Sequence, residues 1–398
     1  MNHLSPDSRT SAPSARKGSA ATGRIFLLTA TLAVWGILGL SGCMTDSGKD
    51  DRKAQDTTQV GTPRIPMVFA LASDRKTTGN FAVIGLDSAF KKTGIETIHS
   101  DAVVRYLGGD DIFIINRMNR DNLQVISRHN FKTVLQVALP ALSNPQDVAI
   151  KDSLIYVAFM SLDKIGVFHQ RDGKSEGEID ISAFADASDQ LAEAIDLLFI
   201  GADLYVLTQN LDAKNGWVPL TAHLLKIDVA GKKVVNSLDL PYGNPAAMTY
   251  DSASGSIYIP CRGEYANADW STKTDGAIIA VKASSLETTD TLATEKDLGG
   301  NVNEVFFYKG KLYMDLSEGP SEKILAIGLT DGKAVSFATF GAYEVGGMAL
   351  DAKTATLFVS DRKKDAPRLR SFNLETLKEN VEAALDLGLP PSDLAIIR

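Results

Sequence analysis

Residues Asn144 to Lys174 read NPQDVAIKDSLIYVAFMSLDKIGVFHQRDGK and contain three short apolar segments separated by turn residues. The opening segment NPQDVAI precedes an aromatic-bearing one, LIYVAF, and the third, KIGVFH, ends just before the turn residues Asp172 and Gly173. Short runs rich in Val, Ile and aromatic residues, bounded by Gly, Asp and Asn, are typical of β-strands. This stretch therefore predicts consecutive antiparallel strands.

The same order of segments recurs along the chain. Openers similar to NPQDVAI begin at Asn244, Asn301 and Glu344, and weaker copies begin at Asp101 and Leu191. Aromatic-bearing segments such as SIYIPC, KLYMDL and TLFVSD follow the openers. The units alternate at period two and begin at intervals of about 44 to 56 residues, as expected for radially arranged four-stranded blades.

The two ends of the repeat region complement each other. The first repeat begins directly with a second strand, MVFALASDRK (Met67 to Lys76), and the last segment, PPSDLAIIR (Pro390 to Arg398), is an opener with no second strand after it. A C-terminal innermost strand that completes the first blade would close the ring and satisfy both edges. We therefore predict an all-β fold for residues 65–398, a seven-bladed β-propeller of four-stranded antiparallel blades.

The alternative is a pair of β-sandwiches, which also contain many short strands with regular turns. That arrangement explains neither the four-strand unit nor the complementary ends. A further similarity favours ring closure, because ASDRKTTGN (72–80) and VSDRKKDAP (359–367) occupy the same position in the first and last repeats. Closure of the ring makes these two segments neighbours.

With this repeat, the chain resembles the YVTN/YncE-type extracytoplasmic seven-bladed propellers, which include propeller lipoproteins of Gram-negative bacteria. The resemblance covers nearly all of residues 65–398 and implies a fold rather than an activity. The Asn that the family has at the end of the second strand corresponds to Asn116 here. No ring of polar residues carries over, because the equivalent positions of other repeats are Phe159, Thr208, Cys261 and Leu316.

Residues 1–42 have the order of a secretory signal, with basic residues between Arg16 and Arg24 followed by an apolar run from Ile25 to Leu40. The run is shorter than the roughly twenty residues of a transmembrane helix, so an uncleaved anchor is the second interpretation. The tetrad LSGC that ends at Cys43 resembles the bacterial lipobox. The resemblance implies that Cys43 receives a diacylglyceryl group, becomes the first residue after cleavage and carries fatty acyl chains.

Residues 43–64 are mixed in charge and nearly free of large apolar side chains, which predicts a flexible tether. By resemblance to the sorting rule of well-studied Gram-negative bacteria, Met44 and Thr45 favour the outer membrane over the inner membrane. We therefore expect an extracytoplasmic protein that is attached to a membrane through the lipid on Cys43.

The composition excludes several classes of function. The chain is 44% hydrophobic and has a formal net charge of -8, so it has no basic field to attract nucleic acid, and no nucleic-acid partner is expected.

The five histidines never have the spacing of metal ligands. The G-x-S-x-G, G-x-G-x-x-G and C-x-x-C motifs are absent. We therefore predict no metal site and no cofactor other than the lipid, and we favour a binding protein over an enzyme.

Two predicted loops between second and third strands are long, Gln209 to Ala222 and Cys261 to Gly276. In propellers such loops lie on the face where ligands usually bind, and exposed aromatic residues with charged neighbours suit an envelope protein, peptide or glycan ligand. The alternative is that the tryptophans fold inward as small cores of their own loops. The candidate ligand-binding residues are Trp217, Tyr265, Trp270, Arg262, Glu264 and Asp269.

Other residues of these loops have simpler interpretations. Asp212 and Asn215 lack the full spacing of a calcium-binding loop, so a divalent cation is not expected there. Cys261 ends a predicted strand and is interpreted as a buried, inert thiol. A reactive thiol is the alternative, and it would need a nearby base or cation.

Acidic residues recur in the openers as Asp147, Glu304 and Asp393. They either converge at the tunnel mouth, where they could hold a cation or assist a water molecule, or accept hydrogen bonds from neighbouring backbone N–H groups. Glu304 and Asp393 are thus the candidate catalytic residues of a lactonase-like hydrolase. Three functions stay open: a lipid-anchored binding module, which we favour, a propeller enzyme, and a scaffold of an envelope complex.

Overall fold

The computed structural model describes residues 66–87, 90–264, 273–380 and 387–398. The predicted signal, the tether and Cys43 lie outside the described residues. In the described part of the chain, seven antiparallel sheets surround a central axis as blades, which confirms the predicted seven-bladed β-propeller, and a further two-stranded sheet lies in the insertion of the fourth blade. Each blade has four strand positions from the axis outward. The numbering runs from β1 to β31 in chain order, because the outermost position of the first blade is divided between two short strands and the fourth blade carries a two-stranded hairpin.

The innermost strands run away from the face on which the blade-to-blade loops lie. Starting from the first blade, they are Pro391–Ile397 (β31), Ala102–Arg105 (β5), Pro145–Lys151 (β9), Ala194–Ile200 (β13), Thr249–Asp251 (β19), Asn301–Tyr308 (β23) and Val345–Asp351 (β27). The second strands return to that face. They are Met67–Ser73 (β1), Asp111–Asn116 (β6), Leu154–Phe159 (β10), Asp203–Thr208 (β14), Ser256–Cys261 (β20), Lys311–Ser317 (β24) and Thr356–Asp361 (β28).

The third and fourth strands complete each blade. The third strands are Gly79–Gly85 (β2), Asn122–Ser127 (β7), Lys164–His169 (β11), His223–Asp228 (β17), Ala277–Lys282 (β21), Ser321–Gly328 (β25) and Arg368–Asn373 (β29). The outer strands are Lys91–Lys92 (β3) with Thr97–Ile98 (β4), Thr133–Ala138 (β8), Ser175–Asp180 (β12), Lys233–Asp239 (β18), Glu287–Thr294 (β22), Ala334–Gly341 (β26) and Lys378–Glu379 (β30).

Helical structure in the described residues is confined to single turns. The α-helical turn is Glu295–Leu298 (α1), and the 3-10 turns are Ser182–Phe184 and Ala213–Asn215. No helix within the described ranges has the length and apolar character needed to cross a membrane.

The ring closes between the first and last strands of the described chain. Strand β31 pairs antiparallel with β1, from Met67 opposite Ile397 to Ala72 opposite Pro391. This pairing confirms the prediction that the C-terminal segment completes the first blade. It also covers the backbone edge of β1 that would otherwise be open to other chains.

The core is divided among the interfaces between neighbouring blades. Seven apolar clusters of described residues fill the seven interfaces. In one of them, Phe69 and Phe81 of the first blade stack with their ring centroids 4.5 Å apart and share a cluster with Ile112 of the second blade. Each such side chain contributes roughly 1.5–3 kcal/mol by its burial.

This arrangement explains a difference from the sequence pattern. Strands β1 and β6 are buried along their whole length, because a neighbouring blade covers each of their faces. The predicted period-two alternation is instead seen in outer strands such as β8, whose residues alternate between half-buried and exposed over most of its length.

Candidate functional site

A cavity of about 1030 Å³ opens on the face that carries the blade-to-blade loops and the loops after the second strands. Its walls are formed by residues of the first, second, fifth, sixth and seventh blades. Small residues line two parts of the wall, Ala246 and Ala247 just before β19 in the fifth blade and Gly346 and Gly347 in β27 of the seventh. These small residues leave the funnel wide on two sides.

Four carboxylates at one position of the inner strands connect neighbouring blades. Each accepts a hydrogen bond from a backbone N–H of the next inner strand in the ring. The pairs are Asp393 with Val104 (2.8 Å), Asp147 with Leu197 (2.9 Å), Asp196 with Met248 (2.7 Å) and Glu304 with Met348 (2.9 Å). Of the two roles considered for the opener acids, hydrogen bonding to neighbouring backbone is therefore observed.

The sequence comparison missed Asp196, the fourth member of this set. Its opener was aligned from Leu191, whereas the hydrogen bond to Met248 shows that Asp196 is equivalent to Asp147. Starting that repeat two residues later, at Glu193, would have placed Asp196 in the acidic position.

Arg105 is a second residue that the sequence comparison missed, and it lies among these carboxylates. Its Nε donates to Asp147 Oδ1 at 2.6 Å, and its Nη1 is 3.5 Å from Asp393 Oδ2. Burial lowers the pKa of Arg105, but Asp147, Asp393 and Asp196 raise it by more, so the guanidinium stays charged. One sequence feature could have identified Arg105. It is a basic residue within the opener DAVVRYL, whereas the best-matched openers contain no basic residue.

Burial also raises the pKa values of acids in the funnel wall. For Glu304 the pKa lies well above its ordinary value because of desolvation, with added repulsion from Asp393 and Asp315. Desolvation likewise raises the pKa of Asp315, which accepts hydrogen bonds from Asn303 Nδ2 (2.9 Å) and the backbone N–H of Glu304 (2.8 Å). Glu304 thus keeps its proton to higher pH than an ordinary glutamic acid.

The structure separates the residues predicted for the recognition surface. Arg262 lines the central funnel, whereas Glu264 lines a second cavity of about 520 Å³ between the fourth and fifth blades and pairs with Lys273 at 2.6 Å. Of the remaining four predicted residues, Tyr265, Asp269 and Trp270 lie outside the described residues, and Trp217 belongs to the insertion of the fourth blade.

The insertion of the fourth blade has its own small structure. Strands Leu211–Asp212 (β15) and Val218–Pro219 (β16) pair as a hairpin, in which Trp217 is half-buried. The Asp212 carboxylate accepts hydrogen bonds from the backbone N–H groups of Lys214 (3.0 Å) and Asn215 (3.1 Å). Asp212 therefore caps the turn that follows it. Within the described ranges, no three His, Cys, Asp or Glu side chains are grouped so that they could hold a metal ion.

Cys261 is completely buried at the end of β20. Burial, together with repulsion from the charge of Glu295, raises the pKa of its thiol above the ordinary value. A thiolate is therefore disfavoured, in agreement with the interpretation of Cys261 as an inert thiol.

Comparisons with known proteins agree with this fold. No protein-family model matches the sequence, and no curated protein matches it. Among solved structures, hydrazine synthase from Kuenenia stuttgartiensis is similar with a TM-score of 0.55 and 14% identity, over 75% of this chain and 91% of that chain. A 6-phosphogluconolactonase-like protein from Bacteroides fragilis NCTC 9343 is similar with a TM-score of 0.59 and 10% identity, over 85% of this chain and 99% of that chain.

At these identities the similarity shows the β-propeller fold alone. Membership of the YVTN/YncE-type group stays a prediction.

Proposed function

We propose that this protein is a non-enzymatic binding module whose ligand enters the central funnel. The observation that carries the proposal is the cavity of about 1030 Å³, whose wall is formed by five blades. Cavities of this size suit small-molecule ligands or the end of a peptide or glycan chain. The ring supports such a site, because the carboxylate hydrogen bonds described above join the inner strands at four of the seven junctions between blades.

We place this module in the cell envelope, attached to a membrane through a lipid on Cys43, with the outer membrane favoured. The support is the order of basic, apolar and small residues that ends in LSGC. Envelope proteins, peptides and glycans are the expected partners. Intact-protein mass spectrometry of the membrane fraction tests this placement, because the wild type should begin at a lipid-modified Cys43 and Cys43→Ala should not be modified.

Ligand binding is tested by filling the funnel. Ala246 lines the cavity, so Ala246→Trp should occupy part of it. Ala230 is exposed in the loop between β17 and β18 on the opposite face, and Ala230→Trp is the matched control. Native mass spectrometry after incubation with an envelope extract should detect bound ligand on the wild type and on Ala230→Trp, but not on Ala246→Trp. Equal ligand capture by all three proteins would place the binding site elsewhere.

A propeller hydrolase is the second candidate, and the raised pKa of Glu304 in the funnel wall favours it. An acid that holds its proton beside a cavity could protonate a leaving group, with Asp393 nearby. The fold similarity to the 6-phosphogluconolactonase-like protein suggests lactones as first substrates. Lactone hydrolysis by the wild type that Glu304→Gln abolishes would support this candidate, and the absence of hydrolysis would remove it.

A further inference from the structure

Arginines recur at the rim of the funnel in a pattern that follows the repeat. In four of the seven blades, an arginine occurs within two residues after the second strand, and all four line the central cavity. Because the seventh, first and second blades are neighbours, three of these arginines lie side by side on one arc of the rim. The four residues are Arg75, Arg117, Arg262 and Arg362.

The four guanidinium groups differ in their partners. Arg117 donates to Asp101 at 2.6 Å and to Gln146 at 3.0 Å. Within the described part of the chain, by contrast, the side chains of Arg75 and Arg362 form no hydrogen bond and no close ion pair. Across the funnel, Nε of Arg262 is buried without a hydrogen-bond partner among the described residues. The rim therefore presents cationic donors that the fold itself leaves largely unused.

Arg75 and Arg362 lie near one another on adjacent blades. The Arg362 side chain crosses the backbone of Gly346, where its Cδ is 3.0 Å from the position that a Cβ of residue 346 would occupy. Glycine is required here first by the Pro391 carbonyl oxygen, 2.5 Å from that position, and it also makes room for the arginine stem. Burial and the charge of Arg75 lower the pKa of Arg362 to about 10. The two guanidinium groups repel each other, and an anion bound between them would offset that repulsion.

The acids that line the same cavity have partners of their own. Asp101 pairs with Arg117, Glu318 pairs with Lys323, and Glu304 accepts a hydrogen bond from the Met348 N–H. Asp315, Glu322 and Asp393 are only 5%, 6% and 7% exposed, and each accepts hydrogen bonds from backbone N–H groups. Burial lowers the pKa of Arg75, and the charge of Glu322 opposes that shift without a direct contact to the guanidinium; the Glu322 Oε2 instead accepts from Val345 N–H at 2.6 Å. Because Asp101 is paired with Arg117, the charges left unpaired among the described residues of this arc are those of Arg75 and Arg362, although the whole chain has a net charge of -8.

An exposed aromatic residue lies at the same part of the rim. Tyr343 is 65% exposed, lines the cavity and has a backbone φ of +59°, in the left-handed region that tyrosine rarely adopts. This conformation belongs to the tight turn between β26 and β27, which leaves the tyrosine at the rim. The turn that carries Tyr343 is joined to Arg362, because the Arg362 N–H donates to the Glu344 carbonyl at 2.6 Å, and the ring offers an apolar face at that part of the rim.

The geometry points to a binding site for a small organic oxyanion, with its carboxylate, phosphate or sulfate group held between Arg75 and Arg362 and its organic body against Tyr343. Guanidinium groups bind such oxyanions through paired, charge-assisted hydrogen bonds. This inference rests on the proposed ligand-binding function of the funnel and assigns the chemical class of its ligand.

Isothermal titration of the purified full-length protein with citrate and with inorganic phosphate, at constant ionic strength, tests the site. Arg75→Gln and Arg362→Gln should each weaken binding about tenfold or more, the usual effect of losing one charge-assisted hydrogen bond. Two controls remove one positive charge elsewhere and should bind as the wild type does. Arg171→Gln lies on the opposite face, and Lys363→Gln is the exposed neighbour of Arg362 in sequence.

Each outcome decides the proposal. Binding that is unchanged in both arginine variants would show that the anions bind elsewhere, and no binding of either anion to the wild type would exclude the oxyanion class. Arg75 is exposed, so Arg75→Gln remains decisive even if Arg362→Gln does not fold. Native mass spectrometry with Ala246→Trp separates the two proposals. If the ligands that bind the wild type but not Ala246→Trp are neutral, and both arginine variants bind them normally, the binding function of the funnel stands and the oxyanion inference fails. If Ala246→Trp loses nothing, the funnel function itself fails.

Discussion

Replacing Arg105 with glutamine tests how the charges at the axis hold the ring together. The guanidinium lies 2.6 Å from Asp147 and 3.5 Å from Asp393, whose side chains are only 3% and 10% exposed. Removing one partner of a buried ion pair costs about 3–5 kcal/mol, because the other charge is left buried and unpaired. Arg105 itself is 37% exposed to the funnel, and solvent screens part of this interaction. We therefore expect Arg105→Gln to lose about 2–4 kcal/mol of unfolding free energy near pH 8.

The loss should depend on pH. Burial already raises the pKa values of Asp196 and Asp393, and without Arg105 both should rise further. A carboxyl whose pKa is raised in the folded state contributes stability below its unfolded pKa and loses it as pH rises through the folded pKa. The difference in unfolding free energy between wild type and Arg105→Gln should therefore grow from about pH 5 to about pH 8.

Urea denaturation followed by far-ultraviolet circular dichroism at both pH values measures these differences. Arg105→Lys keeps the positive charge and should lose less stability than Arg105→Gln. Arg171→Gln, on the opposite face, should change the unfolding free energy by no more than about 0.5 kcal/mol. A loss below about 1 kcal/mol for Arg105→Gln near pH 8, or a difference that shrinks as pH rises, would refute the buried-network argument.

Three further predictions concern the acids, the core and the ring closure. Glu304→Gln keeps an oxygen that can accept the hydrogen bond from the Met348 N–H and removes a carboxyl whose pKa is raised. The unfolding free energy of the variant relative to the wild type should therefore increase from about pH 5 to about pH 8 in urea titrations. A difference that does not change with pH would contradict this. Gly166→Ala would place a Cβ 2.7 Å from a phenylalanine ring and should cost about 1–3 kcal/mol, visible as a lower melting temperature. Deleting Pro391–Ile397 exposes the edge of β1 and should give aggregated protein in size-exclusion chromatography; a monomer with unchanged melting temperature would show that closure is dispensable.

The sequence predicts which residues of the candidate site are equivalent between repeats, but not which residues they contact. The openers identified Asp147, Glu304 and Asp393 as equivalent acids, and the backbone N–H groups that they contact could only be found in the ring. The repeated segment S-D-R-K identified the equivalence of Arg75 and Arg362 but not their position on the funnel wall. Repeat comparison finds residues in equivalent positions, but contacts between blades also depend on how each blade is tilted and packed.

Local patterns were sufficient for the blades, their number and their closure. Each blade is built from hydrogen bonds between strands that are close in sequence, so turn residues and apolar runs encode it directly, and the complementary ends encode the pairing of β31 with β1. The network around Arg105 is different, because it joins residues that are 42 positions apart, as with Asp147, and 289 positions apart, as with Val104 and Asp393. Such neighbours have no signature in a linear pattern. They meet because seven blades pack around one axis, and that packing brings the charges together and opens the funnel beside them.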